Sequence, residues 1–174
     1  AVDIEHTSEL DTFDPTWVDS LSLSLPCYGI PVPKRTMRLP NAPRNYRNGT
    51  HRGLDFFANW GTPVRSVADG IVVRSDLCYE EVPADFRENL LKATTKVGHT
   101  PSDIFNSVLL GKSVFLDHGF DLIPGFRTIS IYAHLSHIEK EIVPGAIVKR
   151  GELLGKSGNT GMRESTIGSK AGSH

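Results

Sequence analysis

The sequence has few cysteines and no long apolar run. Its 174 residues include only two cysteines, Cys27 and Cys78, which are too few for a disulfide scaffold or a thiolate zinc site. They are compatible either with two free thiols or with one disulfide that closes a loop of about 50 residues and contributes roughly 4 kcal/mol. No stretch approaches the roughly 18 consecutive apolar residues of a membrane-spanning helix, so we expect no membrane span.

Neither sign of charge dominates the composition. Nineteen basic and 20 acidic residues give a formal net charge of -1, so no overall positive field attracts a polyanion, and we exclude nucleic acid as a partner. With 39% apolar and 22% charged residues, the chain has the composition of an ordinary globular protein, and its length predicts one domain. The composition does not determine the oligomeric state.

The N-terminus is also without a targeting pattern. AVDIEHTSEL has neither a basic head nor an apolar run, so we expect that any export signal has already been removed.

Short apolar runs separated by glycine and proline fill most of the chain. From residue 49 onward they have strand length and β-branched or aromatic content: LDFF, PVRSVA, GIVVRS, SVFLDHG, TISIYAHL and AIVKRGELLG. They predict a mainly antiparallel β domain over residues 49–174. Before it, residues 1–48 are expected to form an N-terminal extension, with a half-buried strand at 20–25 (SLSLSL) and a basic surface loop at 33–48.

A segment with helical periodicity, residues 77–111, interrupts the strands. Apolar residues at helical spacing include Phe86, Leu90 and Leu91. Gly98 is suited to end that helix, and Ser102 or Asp103 is expected to cap a second, short helix. We predict a mostly helical insertion between two strands.

The sequence THRGLDF contains the first candidate for metal binding. His51 and Asp55 are ordinary zinc ligands, but residues four apart in a straight strand lie roughly 13 Å from each other, too far to share an ion. Gly53, midway between them, tolerates a kink that turns both side chains toward one point. Spacing alone therefore permits metal binding without requiring it.

A second candidate follows an apolar run in ISIYAHLSHI. His134 lies at the predicted end of a strand, where a side chain can stand at the rim of a sheet. His134 and His137 form an HxxH pair, but it lacks the glutamate and the helix of HExxH, so a metal pair here is weakly supported. From these residues alone, surface histidines are the simpler interpretation.

Several motifs in order resemble one family of peptidases. Residues 46–75, YRNGTHRGLDFFANWGTPVRSVADGIVVRS, closely resemble the opening of M23, lysostaphin-like peptidase domains, in which an HxGxD-type motif precedes GTPV and ADG. SVFLDHG, ISIYAHLSHI and VPGAIVKRGELLGKSGNTG continue the pattern to residue 161. The resemblance covers residues 49–174 except the insertion at 77–111, and it implies an open, barrel-like antiparallel fold.

The resemblance also implies a set of site residues. His51 and Asp55 match the first two zinc ligands, and His134 matches a catalytic histidine. The family's last motif, HxH, supplies a second catalytic histidine and the third zinc ligand. We take His174, in AGSH, as the first histidine of that motif, so the third ligand is expected just beyond residue 174 and the domain's C-terminal end is incomplete.

Family members act mainly on peptides of bacterial peptidoglycan, so the resemblance implies a zinc endopeptidase acting on cross-bridges or stem peptides outside the cytoplasm. One alternative is an inactive M23-like domain that binds or activates another wall hydrolase. A carrier module of the lipoyl or biotinyl type, suggested by PGAIVKRGELLG, gives HRGLD and YAHLS no role. Of the other residues, His6 and His99 are expected to be exposed; His118 is either an orienting or a turn histidine; Arg47 and Arg52 either contact substrate or face solvent.

Overall fold

The computed structural model describes residues 15–174, and these form a mainly β protein. The predictions made for residues 1–14, including that for His6, lie outside the described residues. The strands are β1 Pro43–Arg44, β2 Gly49–Thr50, β3 Pro63–Arg65, β4 Gly70–Ser75, β5 Val114–Asp117, β6 Ile129–Tyr132, β7 His137–Ile138, β8 Ile147–Val148 and β9 Leu153–Lys156. The α-helices are α1 Ala84–Val97, α2 Ser102–Ile104 and α3 Arg163–Thr166.

Several helical turns accompany these elements. Turns of 3-10 helix span Pro15–Ser20, Thr36–Arg38 and Asn45–Arg47, and a π-helical turn spans Phe105–Leu109. Within residues 15–174, no helix is long and apolar enough to cross a membrane.

The strands pair in three antiparallel sheets. One has four strands in the order β6-β5-β4-β8, another has three in the order β3-β9-β7, and β1 pairs with β2. In the part of the chain described, no sheet closes into a barrel. The predicted antiparallel, open β architecture is confirmed.

The two larger sheets share one hydrophobic core. Alternation along β5 places Val114 and Leu116 inside, where both are fully buried. The same cluster includes Val72 from the four-stranded sheet and Val64 and Leu154 from the three-stranded one. Burying each such side chain stabilises the fold by about 1.5–3 kcal/mol, so the cluster joins the two sheets.

The insertion is helical, as predicted, but its second helix begins differently from the prediction. Helix α1 ends at Gly98, which adopts a left-handed φ of 87°. Helix α2 begins at Ser102, and neither Ser102 nor Asp103 caps it. Pro101 occupies the capping position with an extended backbone, so the cap prediction was wrong. The chain then continues into the wider π-helical turn, in which the Leu110 N–H donates to the Phe105 carbonyl.

The predicted strand at residues 20–25 is absent. Ser20 ends a 3-10 turn, and the rest of the segment has no strand structure. Leu23 is 49% exposed, and in this segment a backbone bond to another segment is made by Ser24, whose N–H donates to the Val67 carbonyl. A period-two pattern without a neighbouring strand to pair with it does not make a sheet.

The two cysteines are free thiols, so the free-thiol alternative is correct. Cys27 belongs to the core and Cys78 is exposed. Burial raises the pKa of the Cys27 thiol.

Candidate active-site cleft

A cleft of about 400 Å³ is lined by all four of the sequence-predicted site residues. They come from distant parts of the chain, and further wall residues come from the insertion. The predicted site residues in the lining are His51, Asp55, His134 and His174.

Backbone contacts hold His51 and Asp55 on one side of this cleft. His51 follows β2, and its backbone N–H donates to the Ala42 carbonyl at 2.8 Å. The N–H of Asp55 donates to the Arg38 carbonyl at 3.0 Å, so the LDFF run lies in a loop and is not the predicted strand. These bonds bring His51 Nε2 and Asp55 Oδ1 to 2.8 Å from each other.

The chain bends at Gly53, between the two candidate ligands, as predicted. The bend does not depend on glycine, however. A Cβ at position 53 would meet no atom within 4 Å, and the backbone is outside the left-handed region. The bend therefore follows from the backbone bonds of His51 and Asp55.

The three histidines of the cleft share one tautomer. In each, Nδ1 lies against a backbone carbonyl: Leu39 O at 2.9 Å for His51, Thr160 O at 2.7 Å for His134, and Gly172 O at 2.7 Å for His174. A carbonyl oxygen only accepts, so Nδ1 carries the hydrogen in all three rings. In the neutral ring, Nε2 then keeps its lone pair, which is the form that binds a metal or accepts a proton.

His134 lies two residues after β6 in a strained conformation. Its φ is 58°, and its backbone N–H donates to the Leu110 carbonyl at 2.8 Å. Left-handed backbone is uncommon for residues other than glycine and clusters at functional sites. Burial, and secondarily the neighbouring His174, lowers the pKa of His134 to about 4, so the ring is neutral at pH 7.

His174 lies between the two sides of the cleft. Its ring stacks on Phe57 with centroids 5.8 Å apart and lies 4.8 Å from the ring of His134. Its Nε2 is 3.6 Å from Asp55 Oδ1. The amide of Asn159 holds the preceding segment by donating to the carbonyls of Ser169 at 2.9 Å and Ala171 at 2.7 Å.

The donor chemistry of His51 and Asp55 suits zinc. His51 Nε2 and Asp55 Oδ1 lie 2.8 Å apart, a separation at which a proton or a cation stands between the two atoms. Imidazole nitrogen and carboxylate oxygen are both ordinary zinc ligands. Arg44 contacts the other oxygen of Asp55 at 3.4 Å, which leaves Oδ1 facing His51. Among residues 15–174, however, no group of three or more His, Cys, Asp or Glu is arranged to hold a metal ion.

The remaining histidines lie outside the cleft. His118 is buried, with Nδ1 2.6 Å from the Asp69 carbonyl and Nε2 2.7 Å from Ser130 Oγ, so it is a structural residue of the sheet. His137 is exposed, contacts Glu139 at 3.8 Å and is not among the residues that line the cleft with His134. His99 is exposed, as expected.

The two arginines near His51 differ from each other. Arg47 is 4% exposed, and its guanidinium donates to Thr100 Oγ1 and to the Thr50 carbonyl. The predicted basic surface loop at 33–48 is therefore wrong in two respects: the charge of Arg47 is buried, and the segment contains β1 and two 3-10 turns. Arg52 is exposed at the cleft, where its guanidinium lies 4.4 Å from the ring centroid of Phe105.

Sequence reasoning missed the contribution of the insertion to the cleft. Arg87 and Phe105 line it, and Glu81 hydrogen-bonds to Gly161 in its wall. None of these residues lies in a motif, and no local pattern indicates that they meet a turn more than 50 residues away. Asn159, in contrast, lies in the GNTG run that the sequence singled out.

Comparison with known proteins gives matches among solved structures alone: no protein-family profile and no curated protein matches the chain. One matching structure, from Pseudomonas aeruginosa, is described as a peptidase M23; it is 27% identical and has a TM-score of 0.38, with coverage of 80% of this chain and 43% of that one. Another, a zinc-containing peptidase from Vibrio cholerae, is 20% identical with a TM-score of 0.38, and the match covers 82% of this chain and 30% of that one. The chain spans less than half the length of either protein. At this TM-score, the likenesses do not establish a function.

Proposed function

We propose that this chain is a zinc-dependent endopeptidase that hydrolyses peptide bonds of bacterial peptidoglycan outside the cytoplasm. The observation that carries the proposal is the convergence of His51, Asp55, His134 and His174 on one cleft. Two of these residues offer zinc ligands, and two offer imidazoles for proton transfer.

His51 and Asp55 would hold the metal, and the HxH motif predicts a third ligand two residues after His174. Zinc bound there would lower the pKa of a water molecule toward about 7 and polarise a peptide carbonyl. The Leu39 carbonyl orients His51 by accepting from its Nδ1–H, and the Arg44 guanidinium orients Asp55 by donating to Oδ2. Such outer contacts fix the directions in which ligands point.

His134 and His174 would move protons on the open side of the site. His134 is neutral at pH 7, its Nδ1–H is bonded to the Thr160 carbonyl, and Nε2 is left to accept a proton from the attacking water. The same Nε2–H can then protonate the leaving amine. The ring of His174, stacked on Phe57, lies where it can assist either transfer.

The size and charge of the cleft suit a short peptide segment. Its volume of about 400 Å³ is within the range of small-ligand sites. Arg52 presents a guanidinium at the cleft that makes no ion pair within residues 15–174, and it can meet a substrate carboxylate. Peptidoglycan as the source of that peptide is proposed from the motif resemblance.

The test is release of amines from purified peptidoglycans with several cross-link types. We would use the chain extended through a completed HxH motif, with zinc, and compare it with the same protein treated with chelator. We expect release that chelator abolishes and that added zinc restores. Zinc binding without release from any substrate would instead support the binding or activating module.

A further inference from the structure

Residues at both ends of the insertion contact the glycine-rich turn that follows β9, residues 158–161. At one end, Glu81 Oε2 accepts a hydrogen bond from the Gly161 N–H at 2.9 Å, and Arg87 Nε donates to the Gly161 carbonyl at 3.0 Å. At the other end, the backbone of 108–111 packs against the turn. A Cβ built on Gly111 would lie 2.2 Å from the Thr160 carbonyl oxygen, and one on Gly161 would lie 2.6 Å from Gly111 N.

One peptide unit of this turn connects the insertion to His134. The peptide between Thr160 and Gly161 has its N–H on the Glu81 carboxylate and its carbonyl on His134 Nδ1, at 2.7 Å. The order of contacts is therefore carboxylate, peptide group and imidazole. Hydrogen bonds in such a chain polarise one another, so the negative charge at one end makes the carbonyl at the other end a better acceptor.

The carboxylate is itself held in place. Tyr79 donates its hydroxyl to Glu81 Oε1 at 2.9 Å, which leaves Oε2 for Gly161. Burial, followed by the charge of Glu81, raises the pKa of Tyr79, so this hydroxyl keeps its proton. The side chain of Thr160 is also fixed, because Oγ1 accepts from Lys112 N and donates to the Leu135 carbonyl. The peptide unit therefore has little freedom to rotate.

We propose that Glu81 is a positioning residue for His134: by accepting from the Gly161 N–H it holds the Thr160–Gly161 peptide with the Thr160 carbonyl on Nδ1, and so keeps the imidazole in the Nδ1–H tautomer. The effect on hydrolysis rests on the proposed function, because His134 must act in that reaction. The effect on the tautomer of His134 does not depend on that reaction.

The experiment uses three variants. Glu81→Ala removes the acceptor, Glu81→Gln keeps a side-chain oxygen for Gly161 N–H, and Glu80→Gln is the matched control. The Glu80 side chain is exposed and makes no hydrogen bond or ion pair within residues 15–174. If Glu81→Ala does not fold, Tyr79→Phe replaces it, because it removes the hydrogen bond that holds the Glu81 carboxylate. A partial mixture of His134 tautomers is then expected, and an unchanged His134 spectrum in Tyr79→Phe would overturn the proposal.

The first readout is the 15N chemical shifts of the His134 ring in the 174-residue chain, assigned by their loss in His134→Asn. We expect a single Nδ1–H tautomer in the parent and in Glu80→Gln, and the same tautomer in Glu81→Gln. In Glu81→Ala the peptide loses the acceptor of its N–H, so we expect the Thr160 carbonyl to leave Nδ1 in part of the population and a mixture of tautomers to appear. An unchanged His134 spectrum in a folded Glu81→Ala protein would overturn the proposal, even if that protein melts at a lower temperature.

The second readout is hydrolysis by the zinc-loaded chain with the completed HxH motif. Loss of an outer contact to a metal ligand typically lowers activity about 10–100-fold. We expect a fall in kcat of similar size for Glu81→Ala, which removes an outer contact to a proton-transfer group. We expect KM to change little and Glu81→Gln to recover most of the loss. A normal kcat in Glu81→Ala would also overturn the proposal. If the parent protein hydrolyses nothing, the proposed function fails while the 15N spectra still decide whether Glu81 positions His134.

Discussion

The two sides of the cleft are supported in different ways. On the side of His51 and Asp55, the supporting groups all lie within 17 positions of the residue that they hold: Arg38, Leu39, Ala42 and Arg44. His134 is held by Leu110 and Thr160, which are 24 and 26 positions away, and through Thr160 by Glu81. The first side is therefore built from one contiguous segment, whereas the second depends on the packing of remote ones.

The largest expected effect separates the two sides by function. Asp55→Ala removes a proposed ligand and should lower zinc affinity by at least about 100-fold, more than the loss of an outer contact. His134→Asn should leave zinc affinity within about threefold while kcat falls about 10²–10⁴-fold, because a proton acceptor is lost. Zinc titration and amine release, both on the chain with the completed HxH motif, measure the two effects.

Asparagine is the replacement of choice at position 134 because it tolerates the left-handed backbone better than most residues. A His134→Asn variant that lost zinc as completely as Asp55→Ala would contradict the division of the cleft into a ligand side and a proton-transfer side.

The next effect concerns the stability of the His134 side. Gly161→Ala combines a φ of 77° with Cβ contacts of 2.6–2.8 Å to three backbone atoms of 108–111, and it should lower the free energy of unfolding by about 3 kcal/mol or more. Gly168→Ala has a similar φ of 73° but open space around its Cβ, so about 1 kcal/mol is expected. Denaturant unfolding of both variants measures the difference, and equal losses would show that the contact with the insertion has no energetic role.

The smallest expected effect is a dependence of stability on acid. The folded-state pKa of His134 is about 4, below the usual value of 6.5, so the unfolded chain binds more protons between these pH values. The neutral ring therefore contributes to the free energy of unfolding in full above about pH 6.5. This contribution, at most about 3 kcal/mol, is lost as the pH falls toward 4. Unfolding free energies measured across this window should fall less steeply for His134→Asn than for the parent. If the unfolding free energies of the parent and of His134→Asn fell in parallel with pH, the lowered pKa of His134 would be contradicted.

The sequence predicted those parts of the molecule that short contiguous patterns encode. Runs rich in β-branched residues became β3 to β6, β8 and β9, and Gly98 ends α1 as expected. The HRGLD motif placed His51 beside Asp55 because both are held by the same nearby loop. SLSLSL and LDFF failed as strands because neither a period-two pattern nor apolar content supplies a pairing partner.

What could not be predicted depends on contacts between remote segments. The burial of Arg47 follows from Thr100, at 53 positions' distance, and the support of His134 follows from Glu81 across the turn at Gly161. Neither contact can be predicted from the residues next to it in the sequence. The tautomers of the three histidines likewise depend on carbonyl groups, which are present at every residue and carry no sequence signal.

The close approach of Gly111 to Thr160 determines where the chain can vary in length. Residues 98 and 99 are exposed between two helices, so extra residues there would extend into solvent without moving the cleft. An addition or deletion at 108–111 would displace the backbone that packs against Thr160 and Gly161. Because the Thr160 carbonyl is bonded to His134 Nδ1, the imidazole of His134 would move as well. Natural variation in the length of this insertion should therefore be concentrated near residues 98 and 99 and be absent at 108–111.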